Sequence, residues 1–254
     1  MDRYRASNLR SATRVSPGRR SIHRLHVSVT PNVLRPTDTL AVVGDIHGES
    51  RRLRRALDRL ANTTLSIVFV GDYVNRGPDS RGVLDQLFLA KRRLGERVTL
   101  LRGNHDQALI DFLDGGDPQV LVAHGGVPTA RSYLDRRRGG FDEFRDSVPQ
   151  EHLALLNSTE DSFETDSVLV SHAGFNPSDP SSRSAADMRG AGFRAMFDHV
   201  GTWPSPLTVC GHFIQRDQRP FLSDRLICLD TGCGSVDDGP LTALYLPSRD
   251  IETF

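Results

Sequence analysis

From Leu40 onward the chain alternates short apolar runs with longer stretches of helical spacing. Leu40–Val43 is an apolar run closed by Gly44, which predicts a buried strand. In residues 49–61, Leu53, Ala56, Leu57 and Leu60 fall at the i, i+3, i+4, i+7 positions of one helix face. The opposite face carries Arg51, Arg52, Arg54, Arg55, Asp58 and Arg59, the pattern of a solvated surface. Ser66–Val70 is a second predicted strand. Asp79 and Ser80 then offer an N-cap for a helix running to Leu94. Val98–Leu101 is a third strand, followed by a helix around Ala108–Leu113. This βαβαβ order predicts a mostly parallel sheet with helices outside it.

Residues 114–165 break the rhythm. They are rich in Gly, Asp and Arg, with one helix predicted near 149–156, and are expected to form a cap or insertion over the sheet. Strands resume at Val168–Val170, Leu207–Cys210, Leu226–Leu229 and Leu241–Leu246, with a helix near 186–199. So many strands with so few helices predict a second sheet packed on the first. The fold class expected is an α/β sandwich of two mixed sheets flanked by helices.

Composition changes this picture only at the ends. Hydrophobic residues make up 37% and charged residues 25% of 254 residues, an ordinary globular mix. Net charge is zero overall, yet residues 1–36 hold eight Arg against the single acid Asp2. That basic leader reads as a disordered tail. A phosphate-rich or membrane-surface partner, or an organellar transit peptide, is the alternative reading. Thirty-one of the 32 basic residues are Arg, with Lys91 the exception, a bias we ascribe to genome base composition. No run of about 18 apolar residues would span a membrane. Cys210, Cys228 and Cys233 make no disulfide framework. A cytoplasmic location with no membrane partner is therefore expected.

The polar motifs sit just after the predicted strands. Asp45-Ile46-His47-Gly48 follows the first strand and Gly71-Asp72 the second. Gly103-Asn104-His105-Asp106 follows the third, His172-Ala173-Gly174 the run at 168–170, and Gly211-His212 the run at 207–210. Open α/β sheets bind ligands at the carboxyl ends of their strands, so these motifs should converge. A lone Asp-x-His or Gly-His would be uninformative. Five fragments at five strand ends are not. Two carboxylates, an amide oxygen and three imidazoles suit divalent ions such as Mn²⁺, Fe²⁺ or Zn²⁺. Asp45 and His47, two apart, would project to one side of an extended backbone.

The strings GDIHG, GDYVNRGPDS, RGNHD, SHAG and CGH resemble the pattern of the phosphoprotein phosphatase superfamily, with its calcineurin-like metallophosphoesterase fold. That pattern is shared by Ser/Thr protein phosphatases, their bacterial and phage relatives and symmetrical diadenosine tetraphosphate hydrolases. The resemblance spans about residues 40–246 and implies one metallophosphoesterase domain over 37–254. It implies two divalent ions, Mn²⁺ first and Fe or Zn otherwise. Asp45 and His47 would hold one ion, Asp72 would bridge, and Asn104, His172 and His212 would hold the other. A water or hydroxide between the ions would attack phosphorus in line. Arg76 would grip the phosphate, His105 would protonate the leaving oxygen, and Arg194, with Arg189 as runner-up, would be a second phosphate contact.

Asn75 departs from the protein-phosphatase pattern, which has Asp there to orient the acid His. That departure, with Gly-Asn-His-Asp, resembles the diadenosine tetraphosphate hydrolases. Gly77-Pro78-Asp79-Ser80 and Asp230-Thr231-Gly232 resemble the bacterial protein-phosphatase-like members. The function expected is phosphomonoester hydrolysis of the Ser/Thr protein phosphatase type. The alternatives are dinucleoside polyphosphate hydrolysis and, third, an inactive binding module. The partner is then a phosphorylated protein or a small phosphoester or nucleotide; nucleic acid is not expected. His124, standing before Gly125-Gly126 where relatives have Asn, is a candidate substrate contact. His23, His26, His152 and His199 are expected to face solvent, and Arg136, Arg137 and Arg138 to be a solvated run.

Overall fold

Strand β1 (Leu40–Val43) is buried along its whole length and lies at the centre of the first sheet. The computed structural model describes residues 39–134, 139–190 and 194–254. The basic leader, His23, His26, Arg136, Arg137 and Arg138 lie outside the described residues, as does the side chain of Arg194.

β1 pairs in parallel with β2 (Ser66–Phe69), and β2 with β3 (Val98–Leu100). The connections are α1 (Ser50–Leu60) and α2 (Ser80–Leu94), and α3 (Asn104–Leu113) follows β3. α1 buries Leu53, Ala56 and Leu60, the face its spacing predicts. α2 starts where expected, with the Asp79 carboxylate accepting from the Gly82 amide at 3.0 Å.

Residues 114–165 hold more structure than their sequence predicts. Four helices occupy them: α4 (Pro118–Ala123), α5 (Val127–Tyr133), α6 (Phe141–Ser147) and α7 (Gln150–Asn157). Helices of six to eight residues complete barely two turns, so no apolar period can develop in them. Leu121, Tyr133, Phe144, Leu155 and Leu156 share one core with α1, α2 and the outer face of the first sheet. His152 is another departure. It is 1% exposed, with Tyr133 Oη at 2.8 Å from Nδ1 and Asp85 Oδ1 at 3.0 Å from Nε2. It joins α2, α5 and α7 from inside rather than facing water.

The second sheet is built from β4 (Ser162–Glu164), β5 (Val168–Ser171), β6 (Leu207–Cys210), β7 (Phe221–Leu222) and β8 (Leu226–Cys228). Its order is β4-β5-β6-β8-β7, with the inner three strands parallel. The segment near 186–199 is not one helix. It is α8 (Ala185–Arg189), ended by Gly190 at φ 69°, with a 3₁₀ turn at Arg194–Asp198.

The strand predicted at 241–246 does not join the second sheet. β9 (Thr242–Leu246) pairs antiparallel with β1, and β10 (Asp250–Thr253) adds outside it. The first sheet therefore runs β10-β9-β1-β2-β3. Val42, Val68, Val70, Leu101, Val170, Val209, Ile227, Leu229 and Leu244 fill the space between the sheets. Met188, Met196 and Phe175 cover the outer face of the second sheet. The central strands of both sheets thus bury both faces, which is why β1, β2, β5, β6 and β8 read as apolar runs. The carboxyl ends of β1, β2, β3, β5 and β6 open at one edge of this sandwich.

Candidate metal centre

At that edge the five motifs meet. Asp72 is the hinge of the cluster. Its Oδ2 lies 3.5 Å from His47 Nε2 and 3.5 Å from His172 Nε2, between the two groups. Its Oδ1 is taken by the His105 amide at 3.0 Å, which leaves Oδ2 free to be shared. On one side, Asp45 Oδ2 stands 4.0 Å from His47 Nε2. On the other, Asn104 Oδ1 lies 3.1 Å from His172 Nε2 and 3.0 Å from His212 Nδ1. All six sequence-predicted ligands are therefore brought together, in two groups that share Asp72.

The residues fit a pair of divalent ions on their own geometry. His47 Nδ1 is tied to the Val74 carbonyl at 3.0 Å and His172 Nδ1 to the Val70 carbonyl at 3.1 Å, so both turn Nε2 inward as acceptors. His47 Nε2 is sealed from solvent yet has no hydrogen-bond partner. His47, Asp72 and His105, and again Asp72, His172 and His212, bring ligand atoms within 4.8 Å of one another. The electrostatics point the same way. Burial, then Asp230 and Asp72, push Asp45 well above the carboxylate range, and burial, then Asp106, do the same to Asp72. Burial, with Arg76 next, pushes His47 well down, and burial, with Arg76 next, pushes His212 down to about 4. Acids crowded together in a dry site and imidazoles held neutral are the state that a cation relieves.

The backbone is bent to make this possible. Among the described residues, eight non-glycine residues have positive φ, and five of them are His47, Asp72, Asn75, Arg76 and His212. Such conformations cost free energy and persist where the surroundings over-determine them. The carboxylate of Asp106 is one such brace. Its Oδ2 accepts from the amides of Asp72 at 2.7 Å and Gly103 at 3.0 Å, and its Oδ1 from Tyr73 at 2.9 Å. It locks the turn after β2 onto the start of α3. Gly103 and Gly211 complete the fit, because a Cβ at either would overlap a carboxylate oxygen of Asp72 or Asp45. Asp106 sits inside a motif but gave no sign of this role, which depends on three amides from two segments.

The contacts around His105, the candidate acid, are equally specific. Arg76 Nη2 lies 2.9 Å from His105 Nε2, and Nη1 donates to Ser235 Oγ at 2.6 Å. Asn75 is fully buried, its Nδ2 placed 3.3 Å from His105 Nδ1 and its Oδ1 accepting from Thr129 Oγ1 at 3.0 Å. A guanidinium only donates, so His105 Nε2 must accept and Nδ1 must carry the proton. The donors and acceptors then agree if the Asn75 amide is turned over, with Oδ1 toward Nδ1–H and Nδ2 toward the Thr129 hydroxyl. In that form Asn75 orients His105 as a carboxylate would, without the charge. Burial, then Arg76, hold the His105 cation down to about 3. Replacing Asn75 with Asp should raise that value and enlarge the acid fraction at neutral pH. Turnover of phosphoserine peptides should rise by roughly ten-fold while p-nitrophenyl phosphate barely changes, and the alkaline limb of the pH–rate profile should move up. Equal effects on both substrates would remove residue 75 from proton transfer.

Other candidates fall into place around this centre. Arg189, at the end of α8, donates Nε to Asp161 Oδ1 at 2.6 Å and Nη1 to Gln107 Oε1. It lines a groove of about 340 Å³ beside Asn104, with Asp111 and His124. His124 stacks edge-on against His105, ring centres 5.1 Å apart, its Nδ1 anchored 2.8 Å from the Val120 carbonyl. Cys210 is a buried strand residue. Cys233 is 1% exposed beside the β1 turn, and burial pushes its thiol up, so nothing makes it a reactive thiolate. His199 and Trp203 pack on Phe175, away from the cluster.

A sequence model described as calcineurin-like phosphoesterase matches residues 39–221. The serine/threonine-protein phosphatase PP2A-like PPG1 of Candida albicans is 30% identical, over 46% of this chain and 36% of that protein. The serine/threonine-protein phosphatase 6 catalytic subunit of Drosophila melanogaster is 37% identical, over 38% of this chain and 32% of that one. The chain thus spans about a third of the length of these curated relatives. A crystal structure assigned as a diadenosine tetraphosphatase overlays with a TM-score of 0.59 at 22% identity, covering 87% of this chain and 94% of that one. A Saccharomyces cerevisiae protein serine/threonine phosphatase with similarity to human phosphatase PP5 gives a TM-score of 0.52 at 18% identity, covering 89% and 81%. These two overlays establish the fold. The family match covers most of the chain and takes in all six clustered ligands, Arg76 and His105, so the chain belongs to the calcineurin-like phosphoesterase family.

Proposed function

We propose that this protein hydrolyses phosphomonoesters in the manner of a Ser/Thr protein phosphatase. The observation that carries the reading is the pair of buried ligand groups sharing Asp72 Oδ2, with Arg76 and His105 at their mouth. Asp45, His47 and Asp72 would hold one divalent ion and Asp72, Asn104, His172 and His212 the other, Mn²⁺ being the first choice. When bound, such ions activate water and neutralise phosphate charge. Arg76, exposed at the mouth, would take the incoming phosphate oxygens with its fork of donors. Its departure from His105 Nε2 would leave that nitrogen free to carry a proton to the leaving oxygen. Arg189 already reaches the groove beside Asn104, and we assign it the second phosphate contact, in place of Arg194, whose side chain lies outside the described residues.

Hydrolysis of dinucleoside polyphosphates is the second reading. Neutral Asn75 beside His105 favours it, because a polyphosphate leaving group needs less protonation than a serine alkoxide. An inactive binding module is disfavoured by the complete ligand set. The test is metal-dependent turnover of a phosphoserine peptide, p-nitrophenyl phosphate and diadenosine tetraphosphate, side by side. Highest kcat/KM on the peptide supports the first reading, highest on the dinucleotide the second, and no turnover of any the third. Chelation should abolish activity and Mn²⁺ should restore it. Full turnover by metal-stripped protein would refute the two-ion arrangement.

A further inference from the structure

The loop leaving β8 holds a carboxylate that the six-ligand set does not use. Asp230 is 1% exposed, and one of its oxygens is engaged, Oδ1 accepting from the Gly232 amide at 3.0 Å. Oδ2 is sealed from solvent with no hydrogen-bond partner. The contrast with Asp106 is direct. Both are buried acids outside the ligand set, but Asp106 is satisfied by three backbone amides, while half of Asp230 is left bare.

The backbone on either side of Asp230 is pressed against the Asp45–His47 turn. A Cβ on Gly44 would come 2.6 Å from the Leu229 carbonyl oxygen, and Gly234 meets His47 as closely. Cys233 Sγ donates to the Ile46 carbonyl at 3.4 Å. Past the strand ends, the Gln215 amide donates to the Asp230 carbonyl at 2.8 Å, three residues after His212, whose amide donates to both oxygens of Asp45 at 3.2 and 3.1 Å. Among the described residues Asp230 makes no ion pair with an imidazole of the cluster, whereas Asp45 lies 4.0 Å from His47 Nε2 and Asp72 3.5 Å from His47 and His172 Nε2. A buried carboxylate oxygen with no donor is costly unless a cation or a proton offsets it.

We propose that Asp230 is an outer-sphere anchor of the metal centre, whose Oδ2 strengthens the hold on the divalent ion at Asp45 and His47. It would add negative charge to the side of the cluster with fewer imidazoles, where Asp45 and His47 would hold the ion. This inference rests on the two-ion reading above.

The test is Mn²⁺ binding to metal-stripped protein, followed by calorimetry and by the electron paramagnetic resonance signal of free Mn²⁺. Wild type should bind two ions. Asp230→Asn, which keeps the shape and removes the charge, should weaken one site by about 10–100-fold and leave the other unchanged. Without metal, Asp230→Asn should melt above wild type, because one of several crowded acids is gone. With saturating Mn²⁺ it should gain less stability than wild type. Two sites of unchanged affinity in Asp230→Asn would overturn the role of Asp230 and leave the two-ion reading standing. Failure of wild type to bind Mn²⁺ would overturn both. Should Asp230→Asn not fold, Asp230→Ser is measured in the same way, with the same outcomes deciding.

Discussion

Asp72→Asn should lower turnover of p-nitrophenyl phosphate by on the order of 10³, more than any other single ligand substitution. The reason is geometric. Oδ2 of Asp72 lies 3.5 Å from both His47 Nε2 and His172 Nε2. An amide in its place offers either a neutral oxygen or an NH₂ group that repels a cation, and both ion sites suffer. Asn104→Ala touches one site only and should cost less. Two measurements check this: steady-state turnover of both variants in excess Mn²⁺, and the number of ions each retains. Near-normal turnover in Asp72→Asn together with loss in Asn104→Ala would mean that Asp72 does not bridge. Melting of the metal-free variant separates this from misfolding. Metal-free Asp72→Asn should be no less stable than wild type, because burial and Asp106 already press its carboxyl toward the protonated form.

His105→Gln should split substrates by leaving group. A positioned acid contributes about 10²–10⁴ where the departing oxygen must be protonated. Phosphoserine peptides should therefore lose activity on that scale, while p-nitrophenyl phosphate, whose leaving group departs as a stable anion, should lose far less. A uniform loss across substrates would make His105 a binding group rather than an acid. The substitution has a second, visible consequence. Arg76 Nη2 loses its acceptor at His105 Nε2 and keeps only Ser235 at the other nitrogen, so KM for all phosphate substrates should move in one direction whatever their leaving group. The two effects are separable as kcat against KM.

Much of the architecture was legible from periodicity. α1 and the parallel core β1-β2-β3 follow from apolar spacing that a helix or a doubly buried strand must show, and the N-cap of α2 from Asp79. The parts that were not legible are short or non-local. α4, α5 and α6 are too brief to establish a period, and tertiary packing on Phe112 and Tyr133 stabilises them. β9 reads as one more strand, but its place beside β1 depends on where the chain returns after about 200 residues. His152 looks like a surface residue because burial comes from three helices that the sequence cannot bring together.

The sequence by itself determined the set of candidate metal-site donors and the strand ends that carry them, because residue type fixes ligand chemistry and strands in an α/β sheet direct their carboxyl ends to one edge. It could not determine which atoms are shared or left without partners. Those depend on distances of a few ångströms between residues far apart in the chain. Only the tertiary structure set Asp72 Oδ2 midway between two imidazoles, tied Asp106 across two turns, and forced five site residues into positive φ. Only the tertiary structure, too, left Asp230 Oδ2 buried and bare beside the Asp45 turn, since a lack of partners is a property of packing and not of any residue.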